Sequence, residues 1–245
     1  QNAPLLPHTI NSLIPVIPLE RPTAEAKIRN TMFNLQYSAR PVNQFLVVAR
    51  YRYADVDNRT HHFETLGRVR FDGVLDDAAG SPEPEPYGVK RKNFDVDGTF
   101  TVLPFASLRV GYGNAIADRT FRVWEETKEN TFRTSFDTTG NQFVTFRALF
   151  ENSAREGEGL ELHVLEAVGE QPAMRQFDIA DRDRKRFTLL TTVTPNAYFG
   201  VNLSAGVGRD EYPHSEFGLQ HYDSDQYSAG FDLFPSDQVG FSLVY

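Results

Sequence analysis

Residues 94–112 read FDVDGTFTVLPFASLRVGY. Phe94, Val96, Phe100 and Val102 stand at alternate positions, and Asp95, Asp97, Thr99 and Thr101 fill the places between. After Leu103-Pro104-Phe105-Ala106-Ser107 the alternation resumes, with Leu108, Val110 and Tyr112 against Arg109, Gly111 and Gly113. A period of two means a strand with one apolar and one polar face. The Pro-containing link fits a hairpin turn, because proline presets the turn dihedral and cannot donate to a ladder.

The unit recurs along the chain. Phe33, Leu35 and Tyr37 lead through Arg40-Pro41-Val42-Asn43 to Phe45, Val47, Ala49, Tyr51 and Tyr53. Phe132, Thr134 and Phe136 lead through Thr138-Thr139-Gly140-Asn141 to Val144, Phe146, Ala148 and Phe150. Phe187, Leu189, Thr191 and Val193 lead through Pro195-Asn196 to Phe199, Val201, Leu203, Ala205 and Val207. Tyr227, Ala229, Phe231 and Leu233 lead through Pro235-Ser236-Asp237 to Val239, Phe241, Leu243 and Tyr245. Five hairpins, about ten strands, make this an all-β chain whose regular repeat decides the fold class.

The connections alternate in length. Links after odd strands are short, whereas those after even strands run to roughly 35, 15, 33 and 17 residues, the asymmetry of an outer-membrane barrel. Strand arms of about 9–11 residues match a tilted membrane span. Arg50 and Arg52 share the face opposite Phe45, Val47, Ala49, Tyr51 and Tyr53. A lipid-facing arginine at the bilayer midplane costs about 2–4 kcal/mol, so both are expected in the lumen or at its rim. The polar positions (Gly111, Gly113, Arg147, Gly200, Asn202, Ser204, Gly206, Gly208, Ser228, Asp232 and Ser242) suit a lumen better than a packed core, and Ser204-Ala205-Gly206 reads as lumen wall. Tyr51, Tyr53, Phe105, Trp124, Phe143, Tyr198 and Phe234 lie near strand ends, where aromatic girdles form. The expected fold is an antiparallel up-and-down transmembrane β-barrel, with a soluble β-sandwich or open sheet as the competing architecture.

The chain of 245 residues divides into a proline-rich arm or loop (1–26, with Pro4, Pro7, Pro15, Pro18 and Pro22) and the barrel (27–245). Asp118-Arg119-Thr120 is expected to carry the second arm of the central hairpin on to Trp124, beyond a membrane. In the long links, Phe63, Val69 and Phe71 extend strand character. Pro82 to Pro86 reads as an exposed tip. Leu160, Leu162 and Val164 fit either a short strand or a helical turn.

A net charge of −8 and a pI near 5.3 argue against a nucleic-acid surface. The absence of cysteine excludes haem attachment through C-x-x-C-H, an Fe–S cluster or a thiolate zinc site. No apolar run is long enough for a transmembrane helix, and the mean hydropathy of −0.43 is compatible with a barrel, since only alternate residues meet lipid.

Ser38-Ala39-Arg40-Pro41, Ala49-Arg50-Tyr51-Arg52-Tyr53 and Asp57-Asn58-Arg59-Thr60 resemble the MtrB/PioB family of decahaem-associated outer-membrane β-barrels. So do the Leu103-Pro104 turn with Leu108 to Gly113, the run Phe177 to Arg184, and Gly208 to Pro213 with Ser215 to Gln220. The order of these motifs over nearly the whole chain carries the resemblance. It implies a sheath in the bacterial outer membrane that encloses a periplasmic multihaem cytochrome. In several members an outer-surface cytochrome docks at the loop side. Haem is then carried by the partner, and the barrel needs no cofactor of its own. Family barrels are larger than ten strands, so the chain is expected to be either the later half of a longer barrel or a shortened relative. A general pore for small solutes is the alternative function.

No catalytic, cofactor-binding or metal-ligating residue is assigned, and the chain is not expected to be an enzyme. Asp178, Asp181 and Asp183 offer oxygen ligands of the kind Ca²⁺ takes, but Arg182, Arg184, Lys185 and Arg186 among them favour salt-bridged packing at the rim. Asp76 and Asp77 lack calcium-loop spacing. His61 and His62 would face opposite ways on a strand. The other histidines, 8, 163, 214 and 221, are scattered through the arm and long loops. No G-x-S-x-G elbow accompanies the serines, so an outer-membrane hydrolase is disfavoured. Asn58-Arg59-Thr60 fits a glycosylation sequon, a pattern common by chance.

Overall fold

A computed structural model describes residues 4, 5, 11–13, 21–61, 63, 68–70, 74–76, 86–120, 122, 124–138, 143–160, 176–236 and 238–245. Its strands are β1 (Ile28–Val42), β2 (Phe45–Asn58), β3 (Arg68–Arg70), β4 (Val74–Asp76), β5 (Val89–Leu103), β6 (Ala106–Arg119), β7 (Trp124–Thr138), β8 (Val144–Leu160), β9 (Arg182–Asn196), β10 (Phe199–Glu211), β11 (His221–Ser236) and β12 (Val239–Val244). No described residue is helical.

Ten strands form one up-and-down sheet in the order β1-β2-β5-β6-β7-β8-β9-β10-β11-β12, as the repeat predicts. β3 and β4 make a separate two-stranded ribbon in the first long connection, around Val69. β1 and β12 are the edges of the sheet, and among the described residues they do not pair with each other.

The register turns alternation into two surfaces. Leu108 faces Phe136, Phe136 faces Ala148, Ala148 faces Leu189, Leu189 faces Ala205, and Ala205 faces Tyr227. One residue along, Arg109 faces Ser135, Ser135 faces Leu149, Leu149 faces Thr188, Thr188 faces Gly206, and Gly206 faces Gln226. An apolar row and a mainly polar row therefore cross six strands on opposite faces.

Most strands exceed the expected span: β8 has 17 residues and β11 has 16. β6 ends at Arg119, and Trp124 opens the next strand rather than ending that one. Leu160 closes β8, while Leu162 and Val164 lie outside the described residues, as do the proline-rich tip at 82–85 and Phe71. Pro195 and Pro235 sit in the last residues of β9 and β11, not in the turns. The ladders shift register between Phe199 and Val201 and between Leu233 and Ser236, close to these residues that cannot donate.

The chain packs as two compact units. One comprises Gln1–Met32, Ala54–Lys90 and Arg119–Arg122. Within it Leu5 N–H donates to the Pro22 carbonyl at 2.8 Å, Arg59 N–H to the Lys27 carbonyl at 2.7 Å, and Gly88 N–H to Thr120 Oγ1 at 2.7 Å. The Arg21 guanidinium lies 4.8 Å from the centroid of the Phe63 ring. The other comprises Phe33–Tyr53, Arg91–Asp118 and Val123–Tyr245, and it holds the body of the sheet.

Little of the apolar content is buried. Among the described residues the buried hydrophobics are Phe63, Ala106, Trp124, Ile179, Ala180 and Tyr212, none of them on the apolar row. Phe132, Phe150, Phe187, Leu203, Phe231 and Leu233 are exposed. A water-soluble sandwich would place those side chains in its core, and an exposed apolar surface this extensive needs a non-aqueous neighbour. Lipid is that neighbour, and the polar face is the inner one.

Candidate functional site

The inner face carries its charge in clusters. The first spans β2, β5, β6 and β7. Arg52 Nη2 donates to Asp95 Oδ2 at 2.8 Å, and Arg133 Nη2 donates to Asp95 Oδ1 at 2.9 Å. Arg50 Nη1 donates to Asp97 Oδ2 at 3.2 Å and its Nε to Gln36 Oε1 at 3.3 Å. Arg133 Nη2 also lies 3.9 Å from Asp97 Oδ1. Arg50 and Arg52 thus stand on the lumen side, where the cost of an arginine in lipid requires them.

Glycine makes room for this cluster. A β-carbon at Gly111 would collide with the Asp97 carboxylate, and one at Gly113 would stand 2.9 Å from Asp95 Oδ1. The two carboxylates therefore lie over bare β6 backbone, between the arginines of β2 and the arginine of β7. Arg50, Arg52, Asp95, Asp97, Arg109, Arg133, Ser135 and Leu149 line an open cavity of about 420 Å³. Arg109 is exposed and has no hydrogen-bond or ion-pair partner among the described residues.

Next along the sheet Asp137, 8% exposed at its side chain, pairs with Arg147 and accepts from Ser135 Oγ at 3.0 Å. Towards β12 the wall becomes nearly neutral. Thr192 Oγ1 donates to Asn202 Oδ1 at 2.9 Å, Asn202 Nδ2 to Asp232 Oδ2 at 3.0 Å, and Ser242 Oγ to Asp232 Oδ1 at 2.5 Å. Ser204 and Ser228 bond across β10 and β11 at 2.7 Å, as expected of lumen wall.

The long-loop end of β7 to β10 holds a second ionic cluster. Arg184 grips Asp210 with both prongs, Nε to Oδ1 at 2.8 Å and Nη2 to Oδ2 at 2.7 Å. Arg182 Nη2 donates to Glu129 Oε1 at 2.8 Å, an oxygen that also accepts from Ser153 Oγ at 3.0 Å. Burial pulls the Asp210 carboxyl up, but the Arg184 fork and the charges of Arg184, Arg182 and Arg186 outweigh it and hold it below the ordinary value. The bond to Asp210 likewise holds Arg184 above its usual value against desolvation. Burial is also what lowers Arg155.

Arg155 ties the chain that follows the second long connection. Its Nε, Nη1 and Nη2 donate at 2.8 Å to the carbonyls of Ala180, Asp178 and Phe177. Ile179 and Ala180 are buried under this clasp. Asp181 accepts from Gly157 N–H at 2.7 Å and lies 2.6 Å from His214 Nδ1. Within the charged run 177–186, Arg182 and Arg184 are thus ion-paired with Glu129 and Asp210, and Asp181 lies against His214. No described group of acidic or histidine side chains has the arrangement of a metal site. His61 and His221 are exposed, and His8, His62, His163 and Asp77 lie outside the described residues.

Three residues expected in aromatic girdles are placed otherwise. Trp124 is buried against Gly157. Phe143 and Phe234 line a cavity of about 440 Å³ with the inner-face residues Thr194, Asn202 and Asp232. The Arg109 and Arg133 contributions to the first cluster were not visible in sequence. The only signal was parity, since Arg50, Arg52, Asp95, Asp97, Arg109 and Arg133 all alternate with apolar neighbours.

The profile of the family described as "Putative outer membrane beta-barrel porin, MtrB/PioB" matches residues 1–245. Among solved structures, outer-membrane-expressed OmpT of Vibrio cholerae is similar at 15% identity and a TM-score of 0.49, over 89% of this chain and 56% of that one. The in-vitro-folded trimer form of the same protein gives 15% identity and a TM-score of 0.49, over 88% of this chain and 56% of that one. The chain spans little more than half the length of these solved structures. No curated protein matches it.

Proposed function

The chain belongs to the MtrB/PioB family of outer-membrane β-barrels, and from that premise we propose that it sheathes a periplasmic multihaem c-type cytochrome and positions it for electron transfer across the outer membrane. The observation that carries the reading is the inner face. It is polar, holds fixed ion pairs and leaves open space beside them, which suits contact with the surface of an enclosed protein. The chain has no cysteine, which supports a reading in which the c-type haem is carried by the partner. In this role the barrel is no enzyme. It keeps lipid from the haem chain and fixes its geometry, and an outer-surface cytochrome is a second partner at the loop side.

The test is purification of the protein in mild detergent from its native membrane, with a visible absorption spectrum. A Soret band that travels with this chain supports the sheath. A colourless barrel overturns it. The family description names a porin, which favours a second reading, a pore for small solutes. Steady conductance of a colourless barrel in planar bilayers would support that reading.

A further inference from the structure

We propose that Arg50, Arg52, Arg109 and Arg133 form a docking station for surface aspartate and glutamate carboxylates of the enclosed protein; this rests on the sheath reading. The four guanidiniums share a cavity with only two carboxylates, Asp95 and Asp97. The chain as a whole carries −8, yet this part of its inner wall has an excess of positive charge. The next acids on this face are Asp137, taken by Arg147 and Ser135, and Glu151, which stands across the ladder from Arg133 on one side and Arg186 on the other; Gln36, which meets Arg50, is neutral. Arg109 is exposed with no described partner, so its five donors are open to a ligand.

The residue type points to the same chemistry. Arginine presents a planar fork that matches a carboxylate, whereas lysine is a point charge. The strand lysines, Lys90, Lys92, Lys128 and Lys185, share parity with Phe94, Phe132 or Phe187 and lie on the outer face. The side chains of Arg50 and Arg52 are 43% and 56% exposed, so the station is shallow and suits groups on a convex protein surface. Lipid phosphates are on the other side of the wall. Complementary charge would speed encounter and fix the register of the enclosed protein.

The experiment uses the complex purified in detergent and measures haem absorbance retained per barrel after washes from about 0.1 to 1 M salt, over which Debye screening shortens from about 10 to 3 Å. Wild type is compared with Arg109→Gln, Arg109→Glu and the outer-face control Lys185→Glu. Arg109→Glu is expected to lose haem about tenfold faster than wild type at low salt, Arg109→Gln several-fold faster, and Lys185→Glu at the wild-type rate. Heat-modifiable migration checks that each barrel is folded; should Arg109→Glu not fold, Arg109→Gln and the salt series decide. Haem retention that ignores both Arg109 variants and salt overturns the station while leaving the sheath standing. A wild-type barrel without haem overturns both.

Discussion

Gly111 lies directly beneath the Asp97 carboxylate, so close that no β-carbon fits between them. Asp97 bonds Arg50 from the other side at 3.2 Å. In Gly111→Ala the methyl group must push the carboxylate away from Arg50. The bridge is half-exposed and weak by itself, so the expected loss is about 1–2 kcal/mol, mainly overpacking. Gly206→Ala is the control, since its nearest neighbours are at 3.9 Å, and it should be almost neutral. Urea unfolding of both variants from lipid vesicles makes the comparison. An unchanged midpoint for Gly111→Ala would show that the cluster relaxes freely.

Leu203 and Ser204 are consecutive on β10 and lie on opposite faces. Leu203 pairs with Ala229 on the lipid side, and Ser204 bonds Ser228 on the lumen side. Leu203→Arg should cost about 2–4 kcal/mol near the bilayer midplane, and Ser204→Arg less than about 1 kcal/mol. Folding yield and urea midpoint in vesicles measure the difference. Equal costs would mean that the face assignment is wrong.

The faces were legible in the sequence because lipid enforces a strict period of two on one side of each strand. From Phe94 to Tyr112 the alternation alone gives both strands and the sides of Asp95, Asp97 and Arg109. It gives much less at the long-loop end, where both faces of a strand are wet and the pattern fades; hence β8 runs to Leu160 with no sequence signal for its length. Partners were not legible either. Arg52 meets Asp95 across 43 residues and Arg182 meets Glu129 across 53, so each pair depends on the order of the hairpins and on register. Trp124 read as an interfacial aromatic because its burial depends on Gly157, a residue of the following strand.

The Trp124 ring leaves no space for a side chain at position 157. A β-carbon on Gly157 would stand 2.7 Å from Cδ2 and 2.8 Å from Cε3 of the indole. The ring is buried and flat, so it cannot yield as a flexible side-chain tip does. Gly157→Ala is expected to cost about 1–3 kcal/mol and to displace the indole. Trp124 is the single tryptophan, so intrinsic fluorescence reads its surroundings directly. A red shift in emission without loss of the folded barrel is the expected result. Unchanged emission would place the ring elsewhere.

Asp210 and Arg184 give the loop end a pH dependence of definite sign. They lie beyond Val207, where the apolar row of β10 ends, and so outside the lipid-spanning part. The folded-state pKa of Asp210 is held below 3.8, its ordinary value. Its contribution is therefore present in full above that ordinary value and is lost as pH falls through the lower, folded-state value. Acid should loosen this end before it unfolds the barrel. Amide exchange of the segment clasped by Arg155 is the measurement, with protection falling at the acid end of a pH series. Asp210→Asn leaves Arg184 and Arg182 short of their shared carboxylate and should cost about 3 kcal/mol near neutral pH. It should also flatten the acid dependence. If the variant keeps the wild-type acid profile, another carboxylate carries the effect, and Glu129, bonded to Arg182 at 2.8 Å, is the next to replace.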